Sequence, residues 1–269
     1  MKHTVLIALA TLLAVLCLPQ AAPAEEVWVW IVGGQSNAGG LVDTPDGRTP
    51  LADGLNAKYP GIVHSLALHG DGGTSLHPNY SAFGPSWHPS KMDGVNDQND
   101  SSLYRLLSKV ETEMSAIAAA GDTPIVKGFF WMQGYQDSKS GGNHPPQPDA
   151  SDNYDTRLQE LIARVRSETG IPDLPVVVGE TLVGEDPSYG AADYAPVVQA
   201  AQAWVASQDS QVWLAETELW QISDDDTHFT SDGFYKLGTD MVALIPEPMT
   251  LSVLAVGGML LTTRRQKQN

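Results

Sequence analysis

The sequence predicts an α/β fold, a three-layer α/β/α sandwich around a mainly parallel sheet of about five strands. Three observations carry this. Its strand candidates are near-continuous apolar runs, as expected of strands covered on both faces. They alternate with amphipathic stretches of helical period. The long irregular segments, 39–60 and 69–100, are rich in Gly, Pro, Asp, Asn and His. Such loops emerge at the carboxyl ends of strands, where open parallel sheets bind ligands.

The elements follow in order. VWVWIV (27–32) and IVHSLAL (62–68) read as short buried strands. SSLYRLLSKVETEMSAIAAAG (101–121) reads as a helix with Leu103, Leu106, Leu107, Val110, Met114 and Ile117 on one stripe. Ser101 or Ser102 is its cap and Gly121 its stop. IVKGFFWM (125–132) is the next strand, and 154–170 a helix with Leu158, Leu161, Ile162 and Val165 on one face. LPVVVGE (174–180) and QVWLAET (211–217) are strands separated by a helix within 191–208, with a possible start at Pro196. The final helix spans 231–245, capped by Ser231 or Asp232. No internal repeat interrupts this order.

Both ends read as signals rather than as parts of the fold. Residues 1–24 carry Lys2, an apolar run from Val5 to Leu18 and the small-x-small close Ala22-Pro23-Ala24, the pattern of a cleaved signal peptide. About fourteen apolar residues are too few to span a bilayer. The only cysteine, Cys17, lies in this segment behind the bulky Leu16, which argues against lipidation. A processed chain would then have neither a disulfide nor thiol chemistry. Residues 246–269 contain Pro246-Glu247-Pro248, an apolar stretch from Leu251 to Leu261 and the pair Arg264-Arg265. Physically this is a short hydrophobic segment held by positive charge.

The remaining 25–245 is one domain's worth of chain. It carries 11 basic against 31 acidic residues, a balance of −20. Nucleic-acid and anionic-membrane binding rest on clustered Lys and Arg. This balance excludes neither a neutral substrate nor a secreted life, but it argues against those two partners.

Three loops at predicted strand ends carry reactive side chains. Gly34-Gln35-Ser36-Asn37 follows the first strand, where a helix N-terminus would aim N–H groups at a developing oxyanion. Ala38 stands where the nucleophile elbow of α/β-hydrolases requires a second glycine. Taken alone, Ser36 reads as a capping serine as readily as a nucleophile. Asp225 and His228 lie three residues apart, so a carboxylate and an imidazole face the same side of one turn. Asp225 would accept from Nδ1 and leave Nε2 for a serine hydroxyl. An acidic solvated loop with a surface histidine is the plain alternative, since Asp224 and Asp226 are also present. The chain order Ser36, Asp225, His228, each at a strand end, favours a hydrolytic triad on a parallel sheet. His64, His69, His77, His88 and His144 lack ligand spacing and read as surface or substrate-contact residues; neither metal nor cofactor is called for.

These loops resemble those of the SGNH-type hydrolases, specifically the sialate O-acetylesterase and carbohydrate esterase family six group. Gly34-Gln35-Ser36-Asn37 matches the nucleophile block and Asp225-Asp226-Thr227-His228-Phe229 the final Asp-x-x-His block. Phe83-Gly84-Pro85 resembles the second block and Trp131-Met132-Gln133-Gly134-Tyr135-Gln136-Asp137 the third. The resemblance implies a flavodoxin-like sheet and a secreted ester hydrolase removing acetyl groups from carbohydrate. Ser36, Asp225 and His228 would be catalytic, and Ser36, Gly84 and Gln133 would form the oxyanion hole. Gln35, Asn37 and Asp137 would support the site, and Trp87, with Tyr80, would stack on a sugar. Tyr135 stands where the group has glutamate and Gln136 where it has serine, which leaves the acid role to Asp225. Gly72-Gly73-Thr74 precedes Gly84, whereas in the group that motif usually follows the second block. The C-terminal segment resembles the PEP-CTERM sorting signal, which implies an exosortase-type processing partner, membrane contact only through the terminal signals, and display outside a Gram-negative-type cell. A glycan-binding protein that has lost catalysis, and an esterase for lipid or other esters, are the alternatives.

Overall fold

The computed structural model describes residues 24–79, 84–92, 101–139, 148–182, 193–217 and 227–247. Five strands, β1 (Glu26–Gly34), β2 (Val63–Gly70), β3 (Thr123–Met132), β4 (Val176–Gly179) and β5 (Val212–Ala215), form one sheet in the order β2-β1-β3-β4-β5. Every pairing is parallel. Each predicted strand is present, with bounds moved by a few residues.

Pleating divides the sheet's side chains between two cores. Trp28, Trp30 and Val32 of β1 enter one, with Phe130, Met132 and Val177. It is covered by α1 (Ser36–Gly40), α2 (Pro50–Lys58) and α7 (Ser231–Leu244), through residues such as Ala38, Leu51, Leu55, Phe234 and Met241. Val29, Ile31, Phe129, Trp131, Val176 and Val178 enter the other. That core is covered by α3 (Ser102–Ala120), α5 (Tyr154–Thr169) and α6 (Ala195–Gln208), with Leu106, Leu158, Leu161 and Val205. Period-two alternation inside strands that look uniformly apolar is what a sheet packed on both faces requires. A short helix, α4 (Pro148–Asp152), precedes α5.

Two local expectations need correction. Segment 39–60 contains α2, which the sequence hides behind Pro50, Gly54 and a length of only nine residues. Its burial of Leu51 and Leu55 against α7 supplies what its propensity lacks, and Gly54 lets Val242 approach closely. The final helix is capped by Thr230, whose hydroxyl accepts from Gly233 N at 3.0 Å, rather than by Ser231 or Asp232. The other ends agree with expectation: Ser101 caps α3 by accepting from Tyr104 N, and Gly121 ends it at φ 96°.

The end of β1 sets the geometry of everything above it. Gly34 has φ 143°, and a Cβ there would stand 2.0 Å from the Met132 carbonyl oxygen. That oxygen accepts from Gln35 N at 3.0 Å, so β1 turns off the sheet directly over the end of β3. Gly34→Ala combines backbone strain with a backbone clash, each costing about 1–3 kcal/mol. Urea unfolding should show the variant destabilised by roughly 3 kcal/mol or more, or unable to accumulate as folded protein.

Candidate active site

Ser36 opens α1 immediately after this turn, half-buried while its neighbours Gln35 and Asn37 are buried. His228 Nε2 lies 2.9 Å from Ser36 Oγ. These residues are 192 positions apart, and three contacts make them meet. The Asn37 side-chain amide donates to the Thr227 carbonyl at 3.1 Å. Phe229 is buried and packs edge-on against Phe234 of α7, with ring centroids 5.5 Å apart. Gly40 of α1 lies under the Phe234 ring, where any Cβ would fall 2.3 Å from it. The histidine turn is thus tied to the serine turn by a hydrogen bond on one side and an apolar wedge on the other. Asp225 lies outside the described residues, as do Tyr80 and Phe83.

The glycine beside the nucleophile is not the expected one. A Cβ placed on Gly72 would stand 3.9 Å from Ser36 Cβ, whereas one on Gly84 would meet Thr74 Cγ2 at 2.9 Å. Gly72 follows β2 just as Ser36 follows β1, and these strands pair in register up to Gly34 and Gly70. Asp71 N continues that ladder to the Gly34 carbonyl at 3.1 Å. Gly84 belongs to a segment packed behind this loop. The order of motifs along the chain masked the assignment, because the Gly-Gly-Thr triplet itself is the β2 strand-end loop.

Gln133 is a second correction. It is fully buried, and its side-chain nitrogen donates both to the Thr74 carbonyl at 3.0 Å and to Asp137 Oδ2 at 2.6 Å. Both amide hydrogens are spent on the protein, so neither is left for an oxyanion. Trp87 is the third. It is fully buried, donates its indole N–H to Thr74 Oγ1 at 2.8 Å and packs edge-on against Trp131. It cannot stack on a sugar; it props Thr74. The Thr74 hydroxyl in turn donates to the Asp71 carbonyl at 2.5 Å, closing the turn that contains Gly72.

The supporting residues tie the strand-end loops to one another. Gln35 Oε1 accepts from Gly134 N at 3.4 Å and Gln136 N at 3.3 Å, joining the ends of β1 and β3. Asp137, fully buried, accepts from Leu76 N at 2.9 Å and His77 N at 3.0 Å as well as from Gln133. It joins the β3 loop to the β2 loop. Tyr135 is buried in the apolar core with the Lys139 ammonium 4.8 Å from its ring centre. A packed tyrosine therefore fills the position at which the group has its glutamate. Four of the five histidines read as surface or substrate-contact residues are engaged: His64 accepts from the Trp30 indole, His69 pairs with Asp71, His77 with Asp149 and His88 with Glu160, while His144 lies outside the described residues. Among the described residues no group of three or more His, Cys, Asp or Glu is placed to hold a metal ion. The cavity of about 750 Å³ between α3 and α5, lined by Leu107, Val110, Met114 and Ile125, has no histidine in its lining and lies apart from Ser36.

Burial pushes the Asp137 carboxyl up from 3.8 to about 6, against the pull of the Gln133, Leu76 and His77 N–H donors. The folded state therefore binds this proton more tightly than the unfolded chain. The stabilisation from protonation is complete below about pH 4 and is lost as pH rises through about 6. Asp137→Asn lacks that titration and turns an N–H towards N–H donors, a mismatch of about 1–3 kcal/mol. Urea unfolding between pH 4 and 7 should show the variant less stable throughout, with the gap to wild type widening as pH falls from about 6 to about 4.

Comparisons with known proteins show the family and the fold. Residues 90–245, more than half of the chain, match the family described as carbohydrate esterase, sialic acid-specific acetylesterase. No curated protein sequence matches the chain. A solved protein from Arabidopsis thaliana is similar in fold, with TM-score 0.55 and 14% identity over 83% of this chain and 100% of that one. A carbohydrate acetylesterase from Xanthomonas citri gives TM-score 0.48 and 15% identity over 79% of this chain and 54% of that one. An aryl esterase from M. smegmatis gives TM-score 0.49 and 16% identity, covering 82% and 97%. The chain belongs to the sialic acid-specific acetylesterase family of carbohydrate esterases and is a carboxylic ester hydrolase.

Proposed function

We propose that the protein is a secreted carbohydrate O-acetylesterase that works through an acyl-enzyme on Ser36. The observation that carries this reading is the 2.9 Å contact between His228 Nε2 and the Oγ of Ser36, which follows the carboxyl end of β1. His228 takes the Ser36 proton as Oγ attacks the acetyl carbonyl, then returns it to the departing sugar oxygen. Water, deprotonated by His228, then attacks the acetyl-serine, releasing acetate and regenerating Ser36. Asp225, three residues before His228, supplies the carboxylate for Nδ1; in the β3 loop Tyr135 replaces the glutamate and Asp137 is bound by Gln133, Leu76 and His77. The oxyanion sits between the N–H groups of Ser36 and Gly72, since Gly72 flanks the nucleophile and Gln133 is committed elsewhere.

The substrate class follows from the family and from the charge of the molecule. A chain with 32 acidic against 15 basic residues does not attract polyanions, which suits neutral acetylated polysaccharide such as xylan better than sialylated glycan. Export rests on the signal-peptide pattern of 1–24, which leaves 25–245 as the esterase domain. Retention outside the cell rests on 246–269 and its resemblance to a sorting signal cut by an exosortase. Contact with the bilayer is assigned to these terminal segments alone, on their apolar stretches; among the described residues no helix is long and apolar enough to cross a membrane.

The test is acetate release from acetylated xylan, acetylated sialosides and a nitrophenyl acyl series. Wild type should prefer acetyl over longer acyl groups. Ser36→Ala should reduce release to background, and Asp225→Asn should lower kcat by about 10³–10⁴-fold by mis-setting the histidine tautomer. Equal, background-level release by wild type and Ser36→Ala would remove the esterase reading.

A further inference from the structure

Asp71 is used by none of the roles above, yet it immediately precedes the glycine that flanks Ser36. Its backbone is part of the β2 strand-end turn: the N–H donates to the Gly34 carbonyl and the carbonyl accepts from the Thr74 hydroxyl. Its side chain points into a cluster that the turn itself does not supply. One carboxylate oxygen, Oδ2, receives His69 Nε2 at 2.9 Å and the Ser102 hydroxyl at 2.7 Å, with Arg105 Nη1 at 3.5 Å. Ser102 and Arg105 lie in the first turn of α3, a 19-residue helix whose N-terminus favours negative charge. The Ser102 hydroxyl is also 2.7 Å from the Pro85 carbonyl, so the same residue holds the segment behind the loop. His69 chiefly, with Ser102 and Arg105, lowers the Asp71 carboxyl below its ordinary value, so it is ionised at neutral pH.

We infer that Asp71 is a positioning residue for the reaction: it clamps the β2 strand-end turn to the N-terminus of α3 and so fixes the Gly72 N–H against the Ser36 oxyanion site. This rests on the assignment of Gly72 as an oxyanion donor. The physical argument is one of stiffness. A donor contributes to the transition state only if it already points at the position the oxyanion will occupy. A four-residue turn containing Gly72 and Gly73 has little stiffness of its own, and Gly73 is held at φ 66°. A charge-assisted attachment to a long helix supplies what the glycines lack. Because Asp71 touches Ser102, Arg105 and His69 rather than Ser36, its loss acts on the transition state through the loop and leaves ground-state binding of the ester largely intact.

The experiment compares Asp71→Ala, Asp71→Asn and Ser102→Ala with wild type on an acetyl ester, alongside Ser36→Ala. Rates are expressed per active site, counted by an organophosphonate that labels Ser36. An alkyl boronic acid, which forms a tetrahedral adduct on serine, reports the oxyanion site separately. Asp71→Ala should lose about 10–100-fold in kcat with KM within about twofold, the scale of loss for a displaced catalytic geometry. Its boronic acid affinity should weaken by the same factor as kcat/KM. Asp71→Asn keeps an oxygen for Ser102 and His69 and should recover most of the rate, and Ser102→Ala should show a smaller loss of the same kind. A kcat per labelled site equal to wild type in Asp71→Ala, or a loss confined to KM, would overturn the inference, even if the variant melts at lower temperature. Should Asp71→Ala fail to fold, Ser102→Ala with unchanged kcat and boronic acid affinity overturns it as well. Acetate release by Ser36→Ala would instead bring down the reading of the whole site.

Discussion

The site depends on how β1 and β3 end together. Both strands finish in a glycine turn at φ 143°, Gly34 in one and Gly134 in the other, and the two turns are joined by Gln35. Its backbone N–H reaches the Met132 carbonyl, and its side-chain oxygen takes the N–H groups of Gly134 and Gln136. A parallel pair has no hairpin to fix the relation of its ends, so those ends must be fixed by contacts above the sheet. Here one buried glutamine does so with three hydrogen bonds. Ser36 follows it directly, and the nucleophile therefore inherits its position from a buried, triply bonded residue.

Beneath the catalytic surface runs a buried polar layer that links the strand-end loops of β2 and β3. Thr74 receives Trp87 and Gln133; Gln133 binds Asp137; Asp137 returns to Leu76 and His77. Tyr154 of α5 and Gln202 of α6 close it from below, both reaching the Gln133 carbonyl at 2.9 Å. Buried polar groups are costly unless satisfied, and a satisfied network permits few alternative arrangements. That explains why residues which look catalytic by type, such as Gln133 and Asp137, work here as framework. It also makes room for Tyr135: with the β3 turn held by Gln35 and Asp137, position 135 is free to carry an aromatic ring into the apolar core.

How much of this was legible in the chain depended on distance. All five strands and the helices of 101–121, 154–170, 191–208 and 231–245 show in their apolar periodicity, because burial on a two-sided sheet acts on every residue of an element. The nine-residue α2 does not show, since its stability comes from α7 rather than from its own residues. Ser36 and His228 were legible as a pair because their chemistry is rare in combination and their loops follow strands. Gly84 and Gln133 were misplaced for the opposite reason. A glycine N–H and a glutamine amide have no sequence signature of direction, and only their partners reveal where they point.

The residues by themselves determined the main architecture, five strands and four long helices, and marked a serine and a histidine in strand-end loops as candidates to act together. Local pattern suffices for that, because period and polarity are properties of neighbouring residues. What tertiary structure alone decided is which polar groups face the reaction and which are consumed inside. Gly72 lies beside Ser36 because β2 pairs with β1, Trp87 is hidden because it packs on Trp131, and Asp71 reaches α3 because that helix starts beneath the loop. Each outcome depends on residues roughly thirty to forty-five positions apart meeting in space, and hydrogen-bond direction between such residues is settled only when the chain is packed.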